Sequence, residues 1–161
     1  MDKILTIGLL LCLIVIIIQD WKYRKIHVAL PVIVFIISFF AITQTNATKA
    51  DIIIYNLIFF LITLAGLVAY MSIKNRKFLN PFENYFGFGD LLFYVAVTPL
   101  FLLENYVIFF IFSLVFAIVL QIVLKKIIQE KTVPLAGFAS IFLLFLIIKD
   151  VALDFKKITL L

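Results

Sequence analysis

The chain has 161 residues, 66% of them hydrophobic, with a mean hydropathy of +1.26 and a net charge of +5. A soluble domain is about half apolar, so this composition excludes one, and with it a soluble nucleic-acid binder held by basic charge. It points to an all-α integral membrane protein.

Six apolar runs, each bounded by charged or turn-forming residues, cover 4–19, 28–42, 52–73, 91–103, 106–124 and 133–148. The block from Leu91 to Leu124 is interrupted only by Glu104-Asn105. As one helix it would be about 50 Å long against a hydrocarbon core of about 30 Å, so two spans with a turn at Glu104-Asn105 are expected. The predicted architecture is a six-helix transmembrane bundle forming one domain over residues 1–161. Nine of the 14 basic residues fall in the loops after the first, third and fifth runs: Lys22, Arg24, Lys25; Lys74, Arg76, Lys77; Lys125, Lys126, Lys131. By the positive-inside bias those loops face the cytoplasm and both termini lie outside.

The first run ends in QDWKYRKIH. Trp21 and Tyr23 suit a headgroup boundary, yet Asp20 sits on the membrane side of them. The 16 residues before it span about 24 Å, short of a full crossing, which sets Asp20 below the surface. The lone Cys12 reads as an apolar filler, and the lone His27 as an interfacial side chain; neither supports a disulfide framework or a metal centre. No metal or cofactor is expected. In the second run, Pro31 suits the opening turn of a helix. Asn46-Ala47-Thr48 matches a glycosylation pattern that carries little weight alone. The third run looks structural, with Gly66 as a close-contact point between helices.

Gly87-Phe88-Gly89-Asp90 joins a polar loop to the fourth run, and a helix is expected to start at Asp90. A run of 13 residues, about 20 Å, again falls short of a crossing, so Asp90 is recessed too. At the head of the sixth run, Val133-Pro134-Leu135-Ala136-Gly137 gives a clean helix start and lets a neighbour come close. The tail KDVALDFKKITLL has an amphipathic character and is placed on the outer surface.

Ionisable groups in spans are costly and are functional candidates for that reason. Alternation of the spans puts the end of the first helix and the start of the fourth on the cytoplasmic side at similar depth. Two carboxylates meeting there would share a single proton. One would take a proton from a water held between them while the other donates to a scissile carbonyl oxygen. Glycines ahead of Asp90 would leave room for an extended substrate backbone.

Asp20, Arg24 and Ile26, followed by Gly87-Phe88-Gly89-Asp90 and then VPLAG, resemble the type IV prepilin peptidase family of intramembrane aspartyl proteases. The resemblance spans most of the chain and implies Asp20 and Asp90 as the catalytic pair, with Arg24, Gly87, Gly89, Pro134 and Gly137 supporting or binding substrate. His27-Val28 stand where the family has proline and asparagine, and Leu92 where it has lysine. Larger members carry a cytoplasmic methyltransferase domain with cysteine pairs between the first two helices; this chain has a short loop there. The implied activity is therefore cleavage without methylation. The implied substrate is a pilin-like precursor with a basic leader, at the cytoplasmic face of the inner membrane. The competing expectations are a catalytically silent scaffold of the same fold and a small proton-coupled transporter.

Overall fold

The computed structural model describes residues 3–42, 48–75, 87–124, 133–152 and 158–160, and in them the protein is all helical. Among the described residues the six α-helices are α1 (Lys3–Tyr23), α2 (Ala29–Ala41), α3 (Lys49–Asn75), α4 (Phe88–Ala96), α5 (Leu103–Val123) and α6 (Leu135–Ala152), with a 3-10 turn at Thr98–Leu100. Proline punctuates them. Pro31 lies in the opening turn of α2, Pro99 in the 3-10 turn and Pro134 directly before α6, all positions that do not need the missing N–H. At the head of α3, Thr48 and Asp51 cap each other: the Asp51 N–H donates to the Thr48 hydroxyl at 3.2 Å, and that hydroxyl donates to the Asp51 carboxylate at 2.6 Å.

Among the described residues three helices, α1, α3 and α5, are long and apolar enough to cross a membrane. One apolar cluster joins all six, with Leu13, Val34, Phe60, Phe93, Phe109 and Leu143 at its centre. Outside it, side chains such as Ile62 and Ile122 are about two-thirds exposed (66% and 68%). Apolar residues so open on all sides belong in lipid, and the protein is a membrane protein.

The fourth run departs from expectation. Its α-helix ends at Ala96 after nine residues, and the chain turns through Val97–Leu102 rather than at Glu104-Asn105, which already lie in the first turn of α5. The cause is Pro99, which disfavours helix at Thr98 before it and cannot donate to the ladder. A break at this depth frees carbonyls that lipid cannot satisfy. The Asn56 amide of α3 donates to Thr98 O at 2.8 Å and Phe101 O at 2.7 Å, and the Leu160 N–H donates to Leu100 O at 2.8 Å.

One further expectation needs correcting. Gly66 is exposed, with nothing among the described residues within 4 Å of where a side chain would begin, so it is no contact point between the described helices. On α3 the buried stripe is Ile52, Asn56 and Phe60, and no described residue after Phe60 is buried. The end of the tail, Ile158–Leu160, is tied to the end of α6 and the start of α5. Asp150 Oδ2 accepts from the N–H groups of Ile158 and Thr159 at 2.9 and 2.7 Å and from the Thr159 hydroxyl at 2.8 Å, while Lys149 pairs with Oδ1 at 2.9 Å. The Asn105 amide donates to Ile158 O at 2.9 Å. Asp150→Ala removes the acceptor of three hydrogen bonds from Ile158 and Thr159 and of the ion pair with Lys149, which should lower stability by about 3 kcal/mol and show as a lower melting temperature in detergent. Asn46 of the glycosylation pattern, the loop 76–86 and the basic loop 125–132 lie outside the described residues.

Candidate active site

Asp20 lies one turn before the end of α1, and Asp90 is the third residue of α4. The expected start of α4 at Asp90 is thus two residues late. Gly87 is the cap, and Asp90 reaches back to it: the Gly87 N–H donates to Asp90 Oδ2 at 3.2 Å. An acid at this position serves the free amides and positive end of its own helix.

What brings the two acids together is the start of α6. The first N–H groups of any helix have no partner within it. Here Ala136 N–H donates to Asp90 Oδ1 at 2.7 Å and Gly137 N–H donates to Asp20 Oδ2 at 2.6 Å. These amides are consecutive and point the same way along one axis, so the oxygens they hold are neighbours. The positive end of α6 offsets part of the repulsion that two carboxylates at one place would feel. Pro134 is buried and its carbonyl accepts from Phe138 N–H at 3.0 Å, fixing the opening turn that aims both amides.

Burial differs between the two acids. Asp20 is 5% exposed and Asp90 is half-buried, so the pair is closed on the α1 side and open on the α4 side. Gly137 gives α1 its place: a Cβ there would stand 3.1 Å from the Asp20 Cβ and 3.0 Å from Oδ2. A Cβ on Gly87 would meet Asp90 Oδ2 at 2.8 Å, and one on Gly89 would meet the Ile26 side chain at 3.3 Å. All three glycines supply room and not an unusual backbone, since no described glycine has a positive φ.

Arg24 closes α1. Its φ of 53° is the one positive value among described non-glycine residues, and its N–H donates to Asp20 O at 3.1 Å, ending the helix in a left-handed residue. Its guanidinium is close enough for its charge to act on the Asp20 carboxylate. Glycine is the residue this conformation favours, so arginine here costs about 1 kcal/mol. Arg24→Gly should therefore raise thermal stability slightly while lowering any hydrolytic rate about tenfold, the loss expected when one supporting charge leaves a preformed site. Equal rates in wild type and variant would leave Arg24 a role in chain topology alone. The loop that follows is tied back to α1, His27 N–H donating to Gln19 Oε1 at 3.0 Å, and His27 itself is exposed.

The structure thus gathers Asp20, Asp90, Gly87, Pro134 and Gly137 at one place, with Arg24 and Gly89 directly beside it. Sequence reasoning missed the Ala136 amide, because a backbone donor leaves no mark except the helix start that exposes it. Among the described residues no three His, Cys, Asp or Glu side chains cluster as metal ligands would.

No curated protein and no solved structure matches the chain. The type IV leader peptidase family does, over residues 7–122, a stretch that holds both Asp20 and Asp90 and ends before the α6 amides that join them. With more than two thirds of its length matched, the chain belongs to the type IV leader peptidase family.

Proposed function

We propose that the protein is an intramembrane aspartic endopeptidase that removes the basic leader of pilin-like precursors, with Asp20 and Asp90 as its catalytic pair. The observation that carries this reading is the anchoring of both carboxylates on the consecutive amides of Ala136 and Gly137. A water held between the acids loses a proton to the ionised carboxylate as its oxygen bonds to the scissile carbonyl carbon. The protonated partner gives its proton to the carbonyl oxygen. When the tetrahedral intermediate collapses, one of its hydroxyls returns its proton to the ionised carboxylate as the C=O bond re-forms, the C–N bond breaks and the leaving nitrogen takes the proton of the other carboxyl, so one proton is again shared. The helix start holds the acids in place throughout, so no reorganisation is needed during reaction.

Lys22, Arg24, Lys25 and Lys74 lie at the ends of α1 and α3. By the positive-inside bias this end faces the cytoplasm, which puts both termini outside and the pair just below the inner surface of the cytoplasmic membrane. A precursor would present its cleavage site there while its apolar helix stays in lipid. The half-buried Asp90 and the exposed Gly87 and Phe88 mark the side from which an extended peptide would approach. With only a short connection between α1 and α2, the reading is cleavage without methylation. The test is incubation of the purified protein with candidate precursors from the same genome, read by mass. A product lighter by the leader supports the reading; intact precursors throughout would overturn it in favour of a silent scaffold.

A further inference from the structure

We infer that Asn56 is a positioning residue that sets the depth of α4 and thereby the meeting of Asp90 with Asp20. The inference rests on the proposed proteolytic reading for its kinetic consequence, though not for its structural one. A helix that spans the bilayer has its depth set by its own length against the hydrocarbon thickness. With nine residues, α4 extends only about 14 Å and has no such constraint. Its axial position must come from contacts with its neighbours.

Apolar contacts resist sliding weakly, because one aliphatic surface replaces another at little cost; hydrogen bonds at fixed points resist it strongly. The points of this kind near the C-terminal end of α4 are the carbonyls released by the break at Pro99. Asn56 brackets that break, with one amide nitrogen donating to both Thr98 O and Phe101 O, at 2.8 and 2.7 Å. It is fully buried, and among the described residues its Oδ1 has no hydrogen-bond partner. A polar side chain left with an unsatisfied atom inside an apolar bundle is a cost, and its two short bonds to the chain that follows α4 are what it provides in return. Around it, Tyr106 OH donates to Tyr94 O at 3.0 Å and Tyr94 OH bonds Ser113 Oγ at 2.8 Å, so α4 is held from α5 as well, while Asn56 ties the chain that follows α4 to α3. Asp90 lies four residues before Tyr94, and its bond to Ala136 N–H is 2.7 Å long. A slide of α4 by about one ångström would break that bond's geometry.

Asn56→Leu keeps the branched shape and removes both donors. Two readouts are expected to move together. The kcat for precursor cleavage falls about 100-fold with little change in KM, the loss expected from a displacement of about 1 Å. In a background carrying Cys12→Ala, Asp20→Cys and Asp90→Cys, a short bifunctional thiol reagent joins the two positions efficiently with Asn56 present and poorly with Leu in its place. Asn56→Gln, which keeps the donors on a longer arm, should recover part of the cross-link. Where Asn56→Leu does not survive extraction, Asn56→Ser is read in the same two assays. A cross-link unaffected by the loss of Asn56, with only the melting temperature lowered, would overturn the inference and leave Asn56 a packing role. Because the cross-link does not require cleavage, it decides the point even if no precursor is ever cut.

Discussion

Asp20→Asn and Asp90→Asn are each expected to abolish cleavage of a co-expressed pilin-like precursor, with a loss of at least about 1000-fold, while the protein stays folded. The size follows from chemistry: a neutral amide can neither accept the proton of the attacking water nor donate as an acid, and positioned general acid and base groups each supply about 10² to 10⁴ in rate. Survival of the fold follows from geometry. At position 20, the asparagine oxygen can keep the bond that Gly137 N–H makes with Asp20 Oδ2. At position 90 both oxygens accept, one from Ala136 and one from Gly87, and an amide has only one oxygen to offer. The second variant should thus be the less stable, by about 1 kcal/mol for one lost bond, less whatever is regained by removing the mutual repulsion of the acids. The double variant should be no slower than either single one, since the two groups act as a unit. Cleavage retained in either single variant, measured by precursor mass in isolated membranes, would end the assignment of the pair.

The two acids were legible because a charge at the edge of an apolar run is conspicuous, and because run length alone placed both below the surface. The helix order was legible for the same reason. The interruption of the fourth run was misplaced because Glu104 and Asn105 are the polar residues there. In the structure they serve the start of α5, Glu104 at the positive end of the helix and Asn105 bonding Ile158 O. The physical signal was Pro99, one uncharged residue in an apolar stretch. Asn56 passed as part of a structural span because its partners are carbonyls far away in sequence, which no local pattern announces. Gly66 was misread for the opposite reason: a small residue in a span is compatible with close packing, and equally with an open lipid-facing surface where nothing presses on it. The amides of Ala136 and Gly137 could be reached only through the idea that a helix start has donors to spare. Pro134 and Gly137 drew attention to that start without revealing that both acids use it.

Gly137→Val should be almost as damaging as loss of an acid, and Gly137→Ala should cost about 100-fold in kcat. A methyl group at this position would stand 3.1 Å from the Asp20 Cβ and 3.0 Å from its Oδ2. The Cβ cannot swing away as a side-chain tip can, because it is fixed to the backbone of α1. Relief therefore requires α1 and α6 to separate, against the tight packing between them along their buried residues Leu13, Ile16, Ala136 and Ala139. Overpacking of this kind costs about 1 to 3 kcal/mol. The bond that suffers first is Gly137 N–H to Asp20, now 2.6 Å long, so the strain falls on the pair itself. The other two glycines make the comparison informative. At Gly87 the atom in the way is Asp90 Oδ2, the end of a rotatable side chain, and at Gly89 it is the Ile26 side chain, which can change rotamer. The expected order of damage is therefore Gly137→Ala, then Gly87→Ala, then Gly89→Ala, with the last within about threefold of wild type if its displaced Ile26 is accommodated as a volume change of one methyl. The order is checked by initial rates on one precursor at matched protein in membranes. A Gly89 variant slower than the Gly137 variant would mean that substrate entry beside Ile26, and not the closeness of α1 to α6, limits the reaction.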